Sequence, residues 1–299
     1  ARPRSPREGT GASSRAVPEA ASAARVEPRP SNDDGGAGDD VGRAALRAAH
    51  EAISREQSVG ERAFQGCMYR EARGAFERMR DAARGAGLGR EEGQAYRLLA
   101  NTMDKLDEPD GSIEEAYKKA LSAAHKHDDM TLSFDVLTGM GSHAVKTGDL
   151  DLAEHFYLQS QALARRVLTS KEEAVAEGNL AMCLSQSEAR RSECFAHFHK
   201  AIAFQETLGS ESSAHSVVML KADLASVLSA HGKKVEADAE FQQALQLARA
   251  LGDRRLEGNI LTNLANLCDG ELQAPARARE YRQALEELWG DGTAQTGQA

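Results

Sequence analysis

Nine histidines, four cysteines and 46 carboxylates are the residues of this chain best suited to chemistry. Their spacing decides which chemistry is open. A helical metal site needs ligands three or four residues apart, and a knuckle needs Cys-x-x-Cys. His125 and His127, like His197 and His199, stand two apart, which on a helix separates them by about 200° around the axis. Cys67, Cys183, Cys194 and Cys268 form no knuckle. Cys194 and Cys268 instead occupy positions that want small apolar groups, and are read as buried thiols. No metal is expected. Gly139-Met140-Gly141-Ser142-His143-Ala144 reads as G-x-G-x-x-A. That pattern cradles phosphate when it follows a strand and opens a helix. Here the residues ahead of it are helical in pattern, so no nucleotide is expected. A Ser-His-acid site meets only in space, and no G-x-S-x-G marks one. The chain is read as non-catalytic, with no cofactor and no small-molecule substrate.

The elements around these residues follow from composition. The chain has 299 residues, 41% hydrophobic but only 5% aromatic, which favours closely packed helices rich in Ala and Leu. Its net charge of −9 argues against nucleic acid as the main ligand, because phosphate binding needs a basic surface. It argues equally against an anionic membrane surface, and no apolar run is long enough for membrane insertion. Five of the seven prolines and six arginines fall in the first 30 residues. Residues 1–40 are expected to be a disordered Arg/Pro/Ala/Ser-rich segment. A targeting remnant is the sharper reading, weakened by Glu8, Glu19 and Glu27. The absence of an initial Met points to processing or to a fragment that lacks an upstream domain. From 41 to 289 the apolar residues recur at helical spacing. Asp40 is the expected first N-cap, residues 41–54 either cap the array or fuse with the next helix, and 290–299 form a frayed tail.

An internal repeat runs through the helical region. Phe76, Tyr117, Tyr157, Phe198, Phe241 and Tyr281 share one phase, with spacings of 41, 40, 41, 43 and 40. Four residues before each lies Ala72, Ile113, Ala153, Cys194, Ala237 or Arg277; three after lies Met79, Ala120, Ser160, Ala201, Ala244 or Ala284. A second row upstream is Leu99-Ala100, Met140-Gly141, Leu180-Ala181, Leu224-Ala225 and Leu264-Ala265. In the first unit Gly60 takes the small position. A small residue on a first helix lets the second helix approach, and the aromatic fills the gap toward the next unit. Such a pair cannot bury its face alone, so units must stack.

The pattern resembles the tetratricopeptide repeat, whose signature runs L-G-x2-Y … A-x3-F. The best match is LTGMGSHAVKTGDLDLAEHFYLQS at 137–160, followed by 220–245. The period of about 41 is similar to the longer units of kinesin light chains and of spindle-orienting G-protein modulators. The second-helix proline is absent, Arg277 sits in a small slot, and the hairpins at 106–112 and 269–275 look stretched. The resemblance implies an all-α, right-handed superhelical solenoid of about six antiparallel helix pairs. It also implies a concave wall built from first-helix residues flanking the small slot. Carried over, these are Arg97, Asn101 and Lys105, then Thr138, Ser142 and Lys146. Next come Asn179, Met182 and Gln186, then Asp223 and Ser226, and last Asn259, Thr262, Asn263 and Asn266. Asn179 and Asn263 directly precede the Leu-Ala pair, where the longer-unit subgroups bind ligand; the alternative for any one Asn is a local helix–helix hydrogen bond. A Lys/Asn clamp for a carboxylate could begin at Arg97 and Asn101, but Gly139 stands where the next Asn is needed.

The expected function is an adaptor that holds a protein or peptide partner in that groove. Rivals are a structural subunit of a cytoskeletal, ciliary or organellar assembly using the convex face and ends, and a ligand-gated regulator. Trp289, the sole Trp, either closes the last pair or offers a terminal contact. The expected compartment is the cytoplasm, with an organelle or the cytoskeleton as alternatives.

Overall fold

The computed structural model describes residues 35–270 and 272–290, with side chains from Asp40 onward. The expectations for 1–34 and 291–299 lie outside these residues. Contacts divide the chain into a unit ending at Ala44 and a second beginning at Ala45. The described part of the first is the opening of one helix. The second is the repeat array.

Among the described residues there are twelve α-helices and no strand. They are α1 (Gly35–Gln65), α2 (Tyr69–Gly85), α3 (Gly89–Lys105), α4 (Asp110–Lys126), α5 (Met130–Thr147) and α6 (Leu150–Val167). Then follow α7 (Ser170–Leu184), α8 (Arg191–Leu208), α9 (Glu211–Ala230), α10 (Lys234–Leu251), α11 (Arg254–Gly270) and α12 (Pro275–Gly290). Odd-numbered helices are the first of each pair and even-numbered the second. Each packs on its chain neighbours, giving an all-α solenoid of six antiparallel pairs.

The repeat positions carry the packing. Phe76, Tyr117, Tyr157, Phe198 and Phe241 are all buried, as are Ala100, Ala181, Ala225 and Ala265 in the small row. Gly60 and Gly141 serve where even a methyl is too large. A Cβ on Gly141 would lie 2.5 Å from Cε1 of Tyr157, and one on Gly60 would collide with the Phe76 ring. Gly139 lies under Tyr117 in the same way. Both glycines of the phosphate-loop look-alike are thus packing residues in mid-helix. Cys194 and Cys268 are fully buried in their slots.

The connections are short, and several helix starts are capped by side chains. Asp129, Asp149 and Asp253 each accept from the backbone N–H three residues on, and Thr169 with Glu172 forms a capping box. Gly148 closes α5 at φ 85°, a conformation that favours glycine. The longest hairpin is neither of the two expected. It is the six residues between α7 and α8, which hold a 3-10 turn at Glu188–Arg190.

One expectation is corrected and two open points are resolved. The first helix begins at Gly35, so Asp40 is not its cap; its carboxylate pairs with Arg43 at 2.8 Å, an i,i+3 contact inside the helix. Of the two readings of residues 41–54, fusion with the next helix is the one observed, since α1 runs unbroken to Gln65. Arg277, in its small slot on α12, directs its guanidinium to Asp238 of α10 at 2.8 and 3.0 Å.

One buried charge joins three helices. Glu177 of α7 is 1% exposed and accepts from Gln161 (3.0 Å) and Arg165 (2.7 Å) of α6. His197 of α8 meets its other oxygen. Burial pushes the Glu177 carboxyl up, but the hydrogen bonds from His197 and Arg165 outweigh it and hold the group below its ordinary value.

Two measurements check this frame by urea unfolding followed by circular dichroism. Phe198→Ala is expected to cost about 3–5 kcal/mol and Gly141→Ala about 1–3 kcal/mol, the first by a cavity and the second by overpacking. Glu177 has a depressed folded pKa, so its contribution is full above its unfolded value. It is lost as pH falls through the folded one. The wild type should therefore weaken below about pH 4.3. Glu177→Gln should be less stable at neutral pH by about 1–3 kcal/mol and should show a flatter acid limb.

Candidate peptide-binding cleft

Helical periodicity gives each first helix a face beside its small residue. In α3 that face carries Arg97, Asn101 and Lys105 at i, i+4 and i+8. In α5 the same register holds Asp135, Thr138 and Ser142, and in α7 it begins with Lys171 and Val175. These residues line one cleft of about 410 Å³ that crosses α3, α5 and α7. Its floor includes Phe134 and the ring of Tyr117.

The polar groups of the cleft are unevenly used. Tyr117 donates its hydroxyl to Oδ1 of Asn101 at 2.7 Å, which leaves the Asn101 amide nitrogen unengaged. Burial raises the Tyr117 phenol, so it stays a donor. The Thr138 hydroxyl oxygen is buried with no partner. Arg97 lies 3.6 Å from Asp135, whose carboxyl burial raises while Arg97 opposes the shift. Asp104 is taken by Nδ1 of His143 at 2.6 Å. Glu172 is spent on the cap at Thr169, 3.1 Å from its backbone N–H. Lys105 and Lys171 make no ion pair with any described residue.

The expected groove residues divide. Arg97, Asn101, Lys105 and Ser142 meet in the cleft together with Thr138. Lys146 does not, because its ammonium is turned onto Asp107 at 2.5 Å and onto the Asp104 carbonyl, where it fastens the end of α3. Asn179 and Met182 continue the Val175 face of α7 beyond the cleft; the Asn179 amide nitrogen is buried without a partner and Met182 is exposed. Ser226 is exposed and bonds the carbonyl of Ala222. Asn259, Asn263 and Asn266 share a face of α11 and make no hydrogen bond to a described residue, and they lie outside this cleft. The Trp289 ring lies over Gly258, where a Cβ would come within 2.9 Å, yet half its surface stays exposed. Trp289 both closes the last pair and presents a face. The outer side of α12 is polar, with Arg279, Glu280, Gln283, Glu286 and Glu287 exposed.

Asp135, Lys171 and Val175 were missed by the sequence reading. Asp135 and Val175 fall five residues before Met140 and Leu180, so extending the register one turn toward the helix start would have found them. Lys171 lies in the first turn of α7, where charge alone carries no signal.

Among the described residues no cluster of His, Cys, Asp and Glu is placed to hold a metal ion. No described helix is long and apolar enough to cross a membrane. All four cysteines are unpaired.

No family model matches the chain, and no curated protein matches its sequence. Solved structures do match in fold. BtubC of P. vanneervenii superposes with a TM-score of 0.61 at 16% identity, over 84% of this chain and 95% of that one. A signal-transduction ATPase with numerous domains from Pyrococcus horikoshii, which has a tetratricopeptide repeat sensor, gives 0.61 at 13% identity over 83% of this chain. The match spans only 39% of that protein's length. A Rap protein solved in complex with Competence and Sporulation Factor gives 0.60 at 12% identity, over 82% and 76% of the two chains. At these identities the likeness concerns the fold and singles out no subgroup, neither the kinesin light chains nor the G-protein modulators. The chain is a helix-repeat protein with the tetratricopeptide-like fold.

Proposed function

We propose that the chain is a non-catalytic adaptor that holds an extended peptide, or one face of a partner helix, along the inner row of its first helices. The observation that carries this reading is the cleft across α3, α5 and α7. Its walls repeat one register of successive units, and its polar groups have unspent hydrogen-bonding capacity at Asn101 and Thr138. A peptide backbone offers donors and acceptors in alternation, which side-chain amides and hydroxyls can meet. Asn179 on α7 and Asn259, Asn263 and Asn266 on α11 extend the same chemistry along the array. The likeness in fold to a Rap protein that binds Competence and Sporulation Factor supports a ligand-holding use of such an array. Unpaired cysteines suit the cytoplasm as the compartment.

The test is affinity purification from the native cell with the wild-type chain and an Asn101/Asn179/Asn263/Asn266→Ala variant, shown by circular dichroism to be folded. Each amide hydrogen bond contributes about 0.5–1.5 kcal/mol, so the variant should bind the recovered partner roughly 30-fold or more weakly. A partner held equally by both would place the contact on the outer helices or the ends, and would make a structural subunit the better description.

A further inference from the structure

The inner row carries charge that the fold does not use, and its sign changes along the array. In the cleft every carboxylate is engaged: Asp104 with His143, Asp135 with Arg97, Glu172 with the Thr169 cap. Lys105 and Lys171 are the cations there that form no ion pair with a described residue, although Lys171 still favours the charged forms of nearby Asp135 and Glu172. On α9 the situation reverses. Asp223 occupies the position directly before Leu224-Ala225, in register with Asn179 and Asn263. It is half-buried, and it makes neither hydrogen bond nor ion pair with any described residue. Burial pushes its carboxyl up, with no neighbouring cation to offset this. The nearest lysine in sequence, Lys221, is spent on Glu240 at 3.2 Å and Gln243 at 3.0 Å of α10.

The stretch between these charges is apolar and open. Val175 and Met182 of α7 and Met219 of α9 are exposed at 38, 42 and 56%. Val175, Asn179 and Met182 follow one helical face, as do Met219 and Asp223. The two helices touch beside them, since a Cβ on Gly178 would sit 3.0 Å from Leu220. A half-buried carboxylate with no cation is costly to keep. It is explained if a cation arrives with a ligand.

Resting on the groove reading above, we propose that the inner row is polarised and selects an extended peptide bearing an acidic side chain for Lys105 or Lys171 and a Lys or Arg for Asp223, with aliphatic residues between them over Val175, Met182 and Met219. Packed helices lie about 8–10 Å apart and an extended chain rises about 3.3 Å per residue, so each repeat spans about three residues. Asp223 lies one repeat from Lys171 and three from Lys105. The two charges of the peptide should therefore be about three to nine residues apart.

The probe is a synthetic array of peptides of about twelve residues, acetylated and amidated so that no terminal charge contributes. One acidic and one basic residue are placed at every pair of positions, in both orders, on a Leu/Ala/Asn background. The full chain is expected to retain peptides with both charges in one order and at that spacing, about tenfold or more over uncharged ones. Asp223→Lys should abolish the preference for the basic residue and favour an acid there, and Asp223→Asn should only abolish it. Lys105→Glu/Lys171→Glu should invert the other position. Circular dichroism establishes that each variant is folded. Retention whose charge preference is unmoved by these changes overturns the polarised row while leaving a peptide groove in place. Retention of none of the array by the wild type also overturns it, and the groove itself then stands or falls on partner loss in the amide variant.

Discussion

The structure depends on an aromatic ring lying against a residue with almost no side chain. Phe76 on Gly60 and Tyr157 on Gly141 are the tightest cases, where a Cβ would overlap the ring. In other units Ala fills the same place, fully buried at Ala100, Ala181 and Ala225. The contact lets two helices approach, and the ring's far side then packs toward the next unit, as Tyr117 does under Gly139 of α5. One interaction thus sets both the spacing within a pair and the stacking between pairs. A pair cut from the array would expose those rings, so stability here is a property of neighbours.

That division of labour frees the adjacent face of each first helix. The small residue and its flanking Leu point at the second helix; the residues just before and after them do not. This is why Arg97, Asn101, Ser142 and Met182 can differ between units while the buried rows barely change. Where a polar group does enter the interior, it is satisfied from several sides. Glu177 is the clearest case, held by Gln161, Arg165 and His197 from the two flanking helices. Such a cluster ties α6, α7 and α8 together without an aromatic, in a hairpin whose linker is the longest of the array.

Helical periodicity and the 41-residue phase made the fold and the buried rows readable from residues alone. The inner face was readable only in part, because its members are defined by register and not by type. Asn101 and Ser142 were found since they flank the small slot. Asp135 and Val175 were missed since they lie one turn away, though on the same face. Lys146 fits the register yet leaves the cleft, because Asp107 and the end of α3 offer its ammonium a closer partner. Glu177 gave no warning at all: its partners are 12, 16 and 20 residues away and meet it only once three helices are packed. Arg277 broke the pattern visibly, but its partner Asp238 is 39 residues away and meets it only once α10 and α12 are packed.

Net charge is a poor guide to what such a surface recognises. The chain carries −9 overall, yet the cleft across α3, α5 and α7 has its carboxylates paired off and two lysines to spare. Charge exposed to solvent is screened within about 8–10 Å, so its distant sum matters little at the cleft. What a peptide laid along this row would meet is the local remainder after internal pairing, cationic at one end and anionic at Asp223. A surface of this kind draws its discrimination from the penalty of placing a like charge in either position, a penalty larger than the gain from the right one. The apolar residues between, Val175, Met182 and Met219, would then supply attraction without choosing a sequence, since Met packs against many shapes. Specificity in this array would accordingly reside in a few unpaired charges held at fixed separation by the repeat.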